Sequence, residues 1–480
     1  MRLQTLGRLL MLSGMVCPCI SEAQTTAVAD TLIFDLDRCL SIALSDNPTI
    51  KIADMEIERV DYAKKETIGQ LLPSINFGAT YNRTLEKQVA YMNMGGFGNI
   101  GGGEGDSGNG GSDEPVSRAS SSKRGPGIKM GLDNSFQAGF SASMPLIAPQ
   151  LWRTLKLNDS QILQNVENAR ASRLSLINQV KSAYYALMLA EDSYKVIQEN
   201  YDNAVFNHDV FVKKFQVGTA SEYDVLRSSV QVKNVEPELL QAEIAIKQAR
   251  MQLSILLGMD ASYPIKAANS LSEYEKDMYE RTLSIDRSIQ RNTDLRALDI
   301  QTKMLKETLS IQKMSWFPTL SLSASYSWNS SSNGNPLRNF LWTPYSMMGV
   351  TFSLPIFEGG QRYHRIKQAR VQVDEMAWQR ENLERNINMQ VDLAMDNIQK
   401  NVRQISSSAE SVNQAVKAYA IMEKSFEIGA ASYLDLRDAE LALTQSRLAY
   451  YQSIYNYLIA NSELEHLLGN ADIEKYESNK

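Results

Sequence analysis

The chain has 480 residues, 43% of them hydrophobic, with a formal net charge of −6 and a mean hydropathy of −0.30. Its acidic and basic residues alternate along the chain instead of clustering, which argues against nucleic acid as a partner, because phosphate backbones need grouped Lys and Arg. Past the N-terminus no apolar run reaches the length of a membrane helix.

The N-terminus reads as a secretory signal peptide over residues 1–23. Arg2 and Arg8 supply positive charge, residues 9–20 are mostly apolar, and Ser21 and Ala23 put small side chains at −3 and −1. Cys17 and Cys19 fall inside it, which leaves Cys39 as the one cysteine of the mature chain. No intrachain disulfide and no thiol metal site can then form. An exported chain of this kind must draw its stability from extensive packing or from assembly.

Residues 35–69 have helical periodicity, with Leu36, Leu40, Ala43 and Leu44 on one face and an interruption at Asn47-Pro48. The period changes to two over 71–82, where Ile75, Phe77, Ala79 and Tyr81 alternate with Asn76, Gly78, Thr80 and Asn82. Residues 91–131 hold 13 of the 26 glycines. Such a tract cannot bury enough apolar surface to offset its entropy, so it is expected to be a mobile loop. Gly96, Gly98 and Gly101 formally match a dinucleotide fingerprint, but no βαβ pattern surrounds them and more glycine follows in place of a helix. A second strand is predicted over 135–145, with Phe136, Ala138, Phe140, Ala142 and Met144 on its apolar face. A helical hairpin follows over 151–258, its first arm free of proline and internal glycine, its return arm broken or kinked at Pro237.

The second half repeats the order: a helix over 286–314, a strand over 317–329, a short loop over 330–342, a strand over 345–355 and a hairpin over 362–468, with a tail at 471–480. The apolar strand faces are Leu320, Leu322, Ala324, Tyr326 and Trp328, then Met348, Val350, Phe352 and Leu354. In the long helix, Ile366, Ala369, Val373, Met376, Arg380, Leu383, Ile387, Val391, Ala394, Ile398, Val402, Ile405, Ala409, Val412, Val416 and Tyr419 step by threes and fours. This is a heptad seam interrupted by stutters, one of them at Ile398 to Val402.

The halves are copies. Leu72-Pro73-Ser74-Ile75 returns as Phe317-Pro318-Thr319-Leu320, and Ser143-Met144-Pro145-Leu146-Ile147 as Ser353-Leu354-Pro355-Ile356-Phe357. Phe215-x-x-Gly218-x-x-Ser221-x-x-Asp224 returns as Phe426-x-x-Gly429-x-x-Ser432-x-x-Asp435, and Leu256-Leu257-Gly258 as Leu467-Leu468-Gly469. The repeats run 24–265 and 266–470, each of two strands and two long helices. The fold class is mainly α with a membrane β part and a two-fold internal repeat. The strands' second face carries Ser, Gly, Thr and Asn in place of the Lys and Glu of a soluble surface, which suits a water-filled lumen. A soluble sandwich, with the apolar face in a core, is the other reading of the pattern alone. Four strands cannot close a barrel, so oligomerisation is expected.

Three histidines, His208, His364 and His466, stand on helical segments without a carboxylate or nucleophile constellation. No metal spacing, phosphate loop or cofactor motif accompanies them, so an enzyme is not expected.

The duplicated halves, the Leu-Pro-x-Ile strand start, Leu354-Pro355-Ile356-Phe357-Glu358-Gly359-Gly360, the two glycine turns and the closing Leu-Leu-Gly together resemble the TolC-like outer membrane factor family. The resemblance covers nearly all of the mature chain. It implies a homotrimer, with a shared 12-stranded β-barrel in the outer membrane continued by a periplasmic α-helical barrel. Its implied function is export as part of a tripartite efflux or type I secretion system, with a periplasmic adaptor and an inner-membrane pump, proton-driven or ATP-driven, as partners. A periplasmic or surface coiled-coil adaptor without a pore is the alternative. Carried over by motif, Asp435 and Asp438, with Asp224 in the first turn, take the places of the carboxylates at the periplasmic mouth. The turns at Gly218, Thr219, Gly429 and Ala430 become the surface offered to the adaptor. The bland reading of the acidic pair is helix capping. Where the best-known member of that family has Tyr and Arg as latch groups, this chain has Phe426 and Ala431. Closure by packing contacts is expected in their stead.

Overall fold

The structure, a computed structural model, describes residues 32–90, 128–260, 263–275, 287–334, 341–470 and 473–477. The signal peptide, most of the glycine-rich tract with its Gly96 motif, and half of the C-terminal tail lie outside them. The helices are α1 (Leu36–Asp46), α2 (Pro48–Gly69), α3 (Pro149–Gln216), α4 (Glu222–Leu256), α5 (Thr293–Met314), α6 (Gln361–Glu427), α7 (Tyr433–Leu468) and α8 (Ile473–Glu477). The strands are β1 (Leu32–Phe34), β2 (Ser74–Arg83), β3 (Gln88–Ala90), β4 (Ile128–Met130), β5 (Asn134–Ile147), β6 (Ile265–Ala267), β7 (Thr319–Ser332) and β8 (Thr343–Ser353). The chain divides into two units, one drawn from 52–171 and 292–386, the other from 1–51, 172–291 and 387–480.

In the first unit β2, β5, β7 and β8 form an antiparallel sheet in that order, so β2 and β8 are its open edges. The register aligns the apolar faces. Phe77 pairs with Phe140 and Phe140 with Tyr326, while Ala142 pairs with Ala324 and Ala324 with Met348. The rings of Phe77 and Phe140 lie 5.0 Å apart, and those of Tyr326 and Trp328 4.8 Å apart. Among the described residues no layer covers this face: Phe77 is 61% and Met348 74% exposed. A sandwich would bury it, so the soluble alternative fails on packing. Tyr345 and Met347 stand as large side chains on the otherwise small polar face.

Strand ends differ from expectation where proline intervenes. β2 and β7 begin after Pro73 and Pro318, and β8 stops before Leu354-Pro355, because proline cannot donate to the ladder. β5 runs through Pro145 by a register shift between Pro145 and Ile147. β7 continues into the expected loop as far as Ser332, and β4, inside the expected glycine-rich loop, pairs with β3. Gly139 is sterically required: a Cβ there would lie 2.5 Å from the Tyr326 carbonyl oxygen and 2.6 Å from the Ser327 Cα.

The other unit is built on the long helices. Within the α6 seam Ala369, Met376, Ile387, Val391, Ile398 and Ile405 are buried, the first two belonging to the sheet-bearing unit; of the predicted seam residues only Val416 is exposed. Two corrections concern the helices. α4 is not broken at Pro237 but runs through it from Glu222 to Leu256. Pro237 and Lys233, whose carbonyl loses its partner, are both exposed, so water replaces the missing bond. The helix expected from 286 begins at Thr293, because the Asn292 side chain accepts from the Asp294 and Leu295 N–H groups; residues 289–291 form one 3₁₀ turn. A parallel pair, β1 with β6, was not foreseen. It is fastened to α3 by the Tyr184 hydroxyl, which donates to the Phe34 carbonyl (3.1 Å).

Gly139→Ala should destabilise the sheet by about 1–3 kcal/mol through overpacking. Gly78→Ala, whose Cβ meets nothing within 4 Å, should be silent. Loss of the heat-modifiable folded band on gels for the first variant alone is the expected result.

Candidate functional site

The site is the turn end of the two helical hairpins, and each turn is dictated by three residue types. Gly218 and Gly429 have φ of 79° and 76°, which glycine adopts freely. In the first turn the Thr219 N–H donates to the Lys214 carbonyl (2.8 Å) and the Gly218 N–H to the Phe215 carbonyl (2.9 Å). In the second the Ala430 N–H donates to the Ser425 carbonyl (2.7 Å) and the Gly429 N–H to the Phe426 carbonyl (3.1 Å). These are Schellman closures, which use the otherwise orphaned last carbonyls of α3 and α6.

The return helices start at once. Ser221 caps α4 and Ser432 caps α7, each in a capping box closed by an aspartate at the third helical position. Asp224 accepts from the Ser221 hydroxyl (2.7 Å) and N–H (3.1 Å), and Asp435 accepts from the Ser432 hydroxyl (2.7 Å) and N–H (3.1 Å). The serine hydroxyl and then the serine N–H hold both carboxyls below the usual carboxylate range. Both aspartates therefore cap helices. Asp438 sits about one turn further along α7, exposed, with its carboxylate 3.5 Å from Arg437.

Between the turns lies an aromatic cluster that inspection of the sequence missed. The Phe211 ring of α3 is 4.9 Å from Tyr433 of α7 and 6.2 Å from Phe426 of α6, and Phe426 is 6.2 Å from Tyr433. The Lys214 ammonium stands 5.2 Å over Phe426, and the Arg227 guanidinium 6.0 Å over Tyr433. The Phe426 position, which has no hydroxyl to offer, is thus engaged through its face. Tyr433 is half-buried, and burial foremost pushes its hydroxyl pKa up. The signal available in the sequence was Phe211, one helical turn before Phe215 and on the seam side, but its partner lies more than two hundred residues away. Among the described residues no group of His, Cys, Asp and Glu is arranged to hold a metal ion.

Ser432→Ala should cost about 1 kcal/mol of local helix stability, read as faster amide exchange over the first turns of α7. The Asp435 part of the cap has the depressed-carboxyl sign. It is fully present above the ordinary value of 3.8 and is lost as pH falls through the lower native one. Phe426→Ala should speed exchange at both turns, because the ring touches both hairpins. Aromatic pairs of this kind contribute about 0.5–1.5 kcal/mol each beyond burial.

The comparisons with known proteins agree with this geometry. Residues 39–259 and 284–470 match the family described as outer membrane efflux protein, in two segments that follow the two repeats. The chain is 24% identical over 346 residues to outer membrane protein TolC of Escherichia coli K12, covering 70% of each chain. It is 21% identical over 356 residues to alkaline protease secretion protein AprF of Pseudomonas aeruginosa, covering 72% of this chain and 73% of that one. In fold it is similar to the CmeC outer membrane channel of Campylobacter jejuni, with a TM-score of 0.68 at 18% identity over 92% of this chain and 88% of that one. With the family matched across both repeats, this chain belongs to the outer membrane efflux protein family and is a non-enzymatic outer membrane channel with a periplasmic helical tunnel.

Proposed function

We propose that three copies of this chain form the exit duct of a tripartite efflux or secretion machine, engaged at its periplasmic turns by an adaptor and an inner-membrane pump. The observation that carries the reading is the sheet: four strands with a bare apolar face and two unpaired edges. In a bilayer every edge must be paired, so the sheet closes only with copies of itself. Three copies supply 12 strands, enough for a water-filled pore. Family membership implies the same trimeric assembly. Exposed apolar residues on the helices, among them Phe206, Leu226, Ile244, Ile255 and Ile421, supply surface for neighbouring protomers. The turns at Gly218, Thr219, Gly429 and Ala430 are exposed and offer the adaptor contact.

Asp435 and Asp438 line the mouth, with Asp224 nearby, in addition to the capping that Asp224 and Asp435 perform. Trimerisation would bring six carboxylates from the second turns towards one axis. The serine contacts keep Asp435 ionised, so the ring retains charge and favours cations over anions. The cargo is set by the pump: relatives of this chain include a cobalt-zinc-cadmium resistance protein and a protease secretion protein.

Light scattering in mild detergent should give a trimer, and a stable monomer would overturn the assembly. In planar bilayers, Asp435→Ala combined with Asp438→Ala should weaken cation selectivity and block by multivalent cations. Unchanged reversal potentials together with a clear fall in thermal stability would assign these residues to capping alone.

A further inference from the structure

On α7, Tyr433, Leu436, Glu440, Leu443 and Arg447 recur at spacings of three and four and so share one face. Leu436 and Leu443 are buried, as this pattern requires. Glu440 lies between them and is only 8% exposed. Its Oε1 has no hydrogen-bond partner, while the Asn203 side chain of α3 hydrogen-bonds the carboxyl. A buried, half-satisfied carboxyl in an apolar seam is unfavourable in its ionised form.

The charges around it make this worse. From α3 the group that acts on it is Glu199, and from α6 it is Glu423; both are acidic. The Tyr419 hydroxyl of α6 and the Tyr433 hydroxyl of α7 also feel its charge. No basic group acts on Glu440 directly, although Arg447 of the same face offsets part of the Glu199 charge. Arg447 pairs with Glu199 at 2.5 Å, Arg437 lies 3.5 Å from Asp438, and Arg227 of α4 stands over Tyr433. Burial first, then Glu199 and Glu423, push the Glu440 carboxyl up to about 7 against the pull of Asn203. The corresponding residue of the first hairpin, 211 positions earlier, is Ser229, so only the second hairpin has this group.

We propose that Glu440 is a proton-controlled latch of the duct mouth: protonated, it lets α7 rest against α3 and α6, and ionised, it drives α7 away from Glu199 and Glu423 and frees the second turn. The link to the mouth rests on the reading of the turn end given above. The sign follows from proton binding. The packed state holds the proton more tightly than an opened state, in which the carboxyl returns towards 4.5. Packing is therefore strongest below that value and weakens as pH rises to about 7. A difference of this size changes the packed-to-opened ratio on the order of 100-fold.

The test compares the full-length trimer with Glu440→Gln between pH 5 and 9. Amide exchange over residues 433–447 is corrected for its intrinsic pH dependence, and single-channel conductance is recorded in parallel. The wild type should loosen and open more often as pH rises from 5 to about 7 and then level off, and Glu440→Gln should stay in the low-pH behaviour throughout. Identical exchange profiles in the two proteins would overturn the latch. A pH-dependent exchange difference with flat conductance in both would instead overturn the assignment of this end as the mouth, and with it the gating role. Should Glu440→Gln fail to assemble, Glu423→Gln, at an exposed position, carries the test. It should move the transition to lower pH by removing a like charge, and an unmoved transition would overturn the proposal.

Discussion

The structure depends first on the hydrogen-bonding needs of two strand edges. β2 and β8 each present a row of main-chain donors and acceptors that no strand among the described residues pairs. In water such edges invite aggregation, and in a bilayer they are unacceptable, because no solvent replaces the missing bonds. The face they border is equally incomplete. Its rings and aliphatic side chains form matched rows across all four strands, with no second layer to cover them. Lipid against that face and copies of the sheet along its edges remove both deficits at once. The close approach at Gly139 fixes the register on which those rows depend.

The helical unit handles polar groups in a different way. Long seams need some polar residues to hold register, and here most are fully matched. Asp192 accepts from Lys195, from the Ser270 hydroxyl and from the Leu271 N–H, which ties the segment after β6 to α3. Asn47 donates to the Leu256 carbonyl and accepts from the Thr49 N–H, joining the break between α1 and α2 to the end of α4. Asn401 of α6 donates to the Asn456 carbonyl of α7. Glu440 departs from this, as do the Arg250 Nε and the His466 Nδ1, and of these three it is the acid with acidic neighbours. A seam position of this kind opposes tight packing unless a proton is present.

Duplication supplied one turn design and divergence gave the two turns different chemistry. The glycine closure and serine capping box are the same in both, because both solve the same problem of unpaired groups at helix ends. The residues that change the chemistry most lie just beyond the cap. Tyr433 replaces Glu222, Asp438 replaces Arg227 and Glu440 replaces Ser229. The two hairpins then complement each other, with Arg227 of one set over the Tyr433 ring of the other and Phe211 of one against Phe426 of the other. The polar latch positions held by Phe426 and Ala431 are thereby offset by ring packing and cation–π contact.

The sequence by itself determined what depends on near neighbours. Strand faces follow from a period of two, the α6 seam from steps of three and four, and the turns from glycine, serine and aspartate at set offsets, all of which act within a few residues. Tertiary structure decided the rest. The β1–β6 pair joins Leu32 to Ile265 through three-residue strands too short to show a period. Pro237 is accommodated because Lys233, whose carbonyl it leaves unpaired within the helix, is exposed, and α5 starts late because Asn292 turns in to cap it. The cluster of Phe211, Phe426 and Tyr433, like the environment of Glu440, unites three helices that are distant in the chain. In sequence Glu440 is one acidic residue of a charged helix. Its desolvation and the two like charges beside it exist only once α3, α6 and α7 are packed, because dielectric and charge are properties of the surroundings and not of the residue.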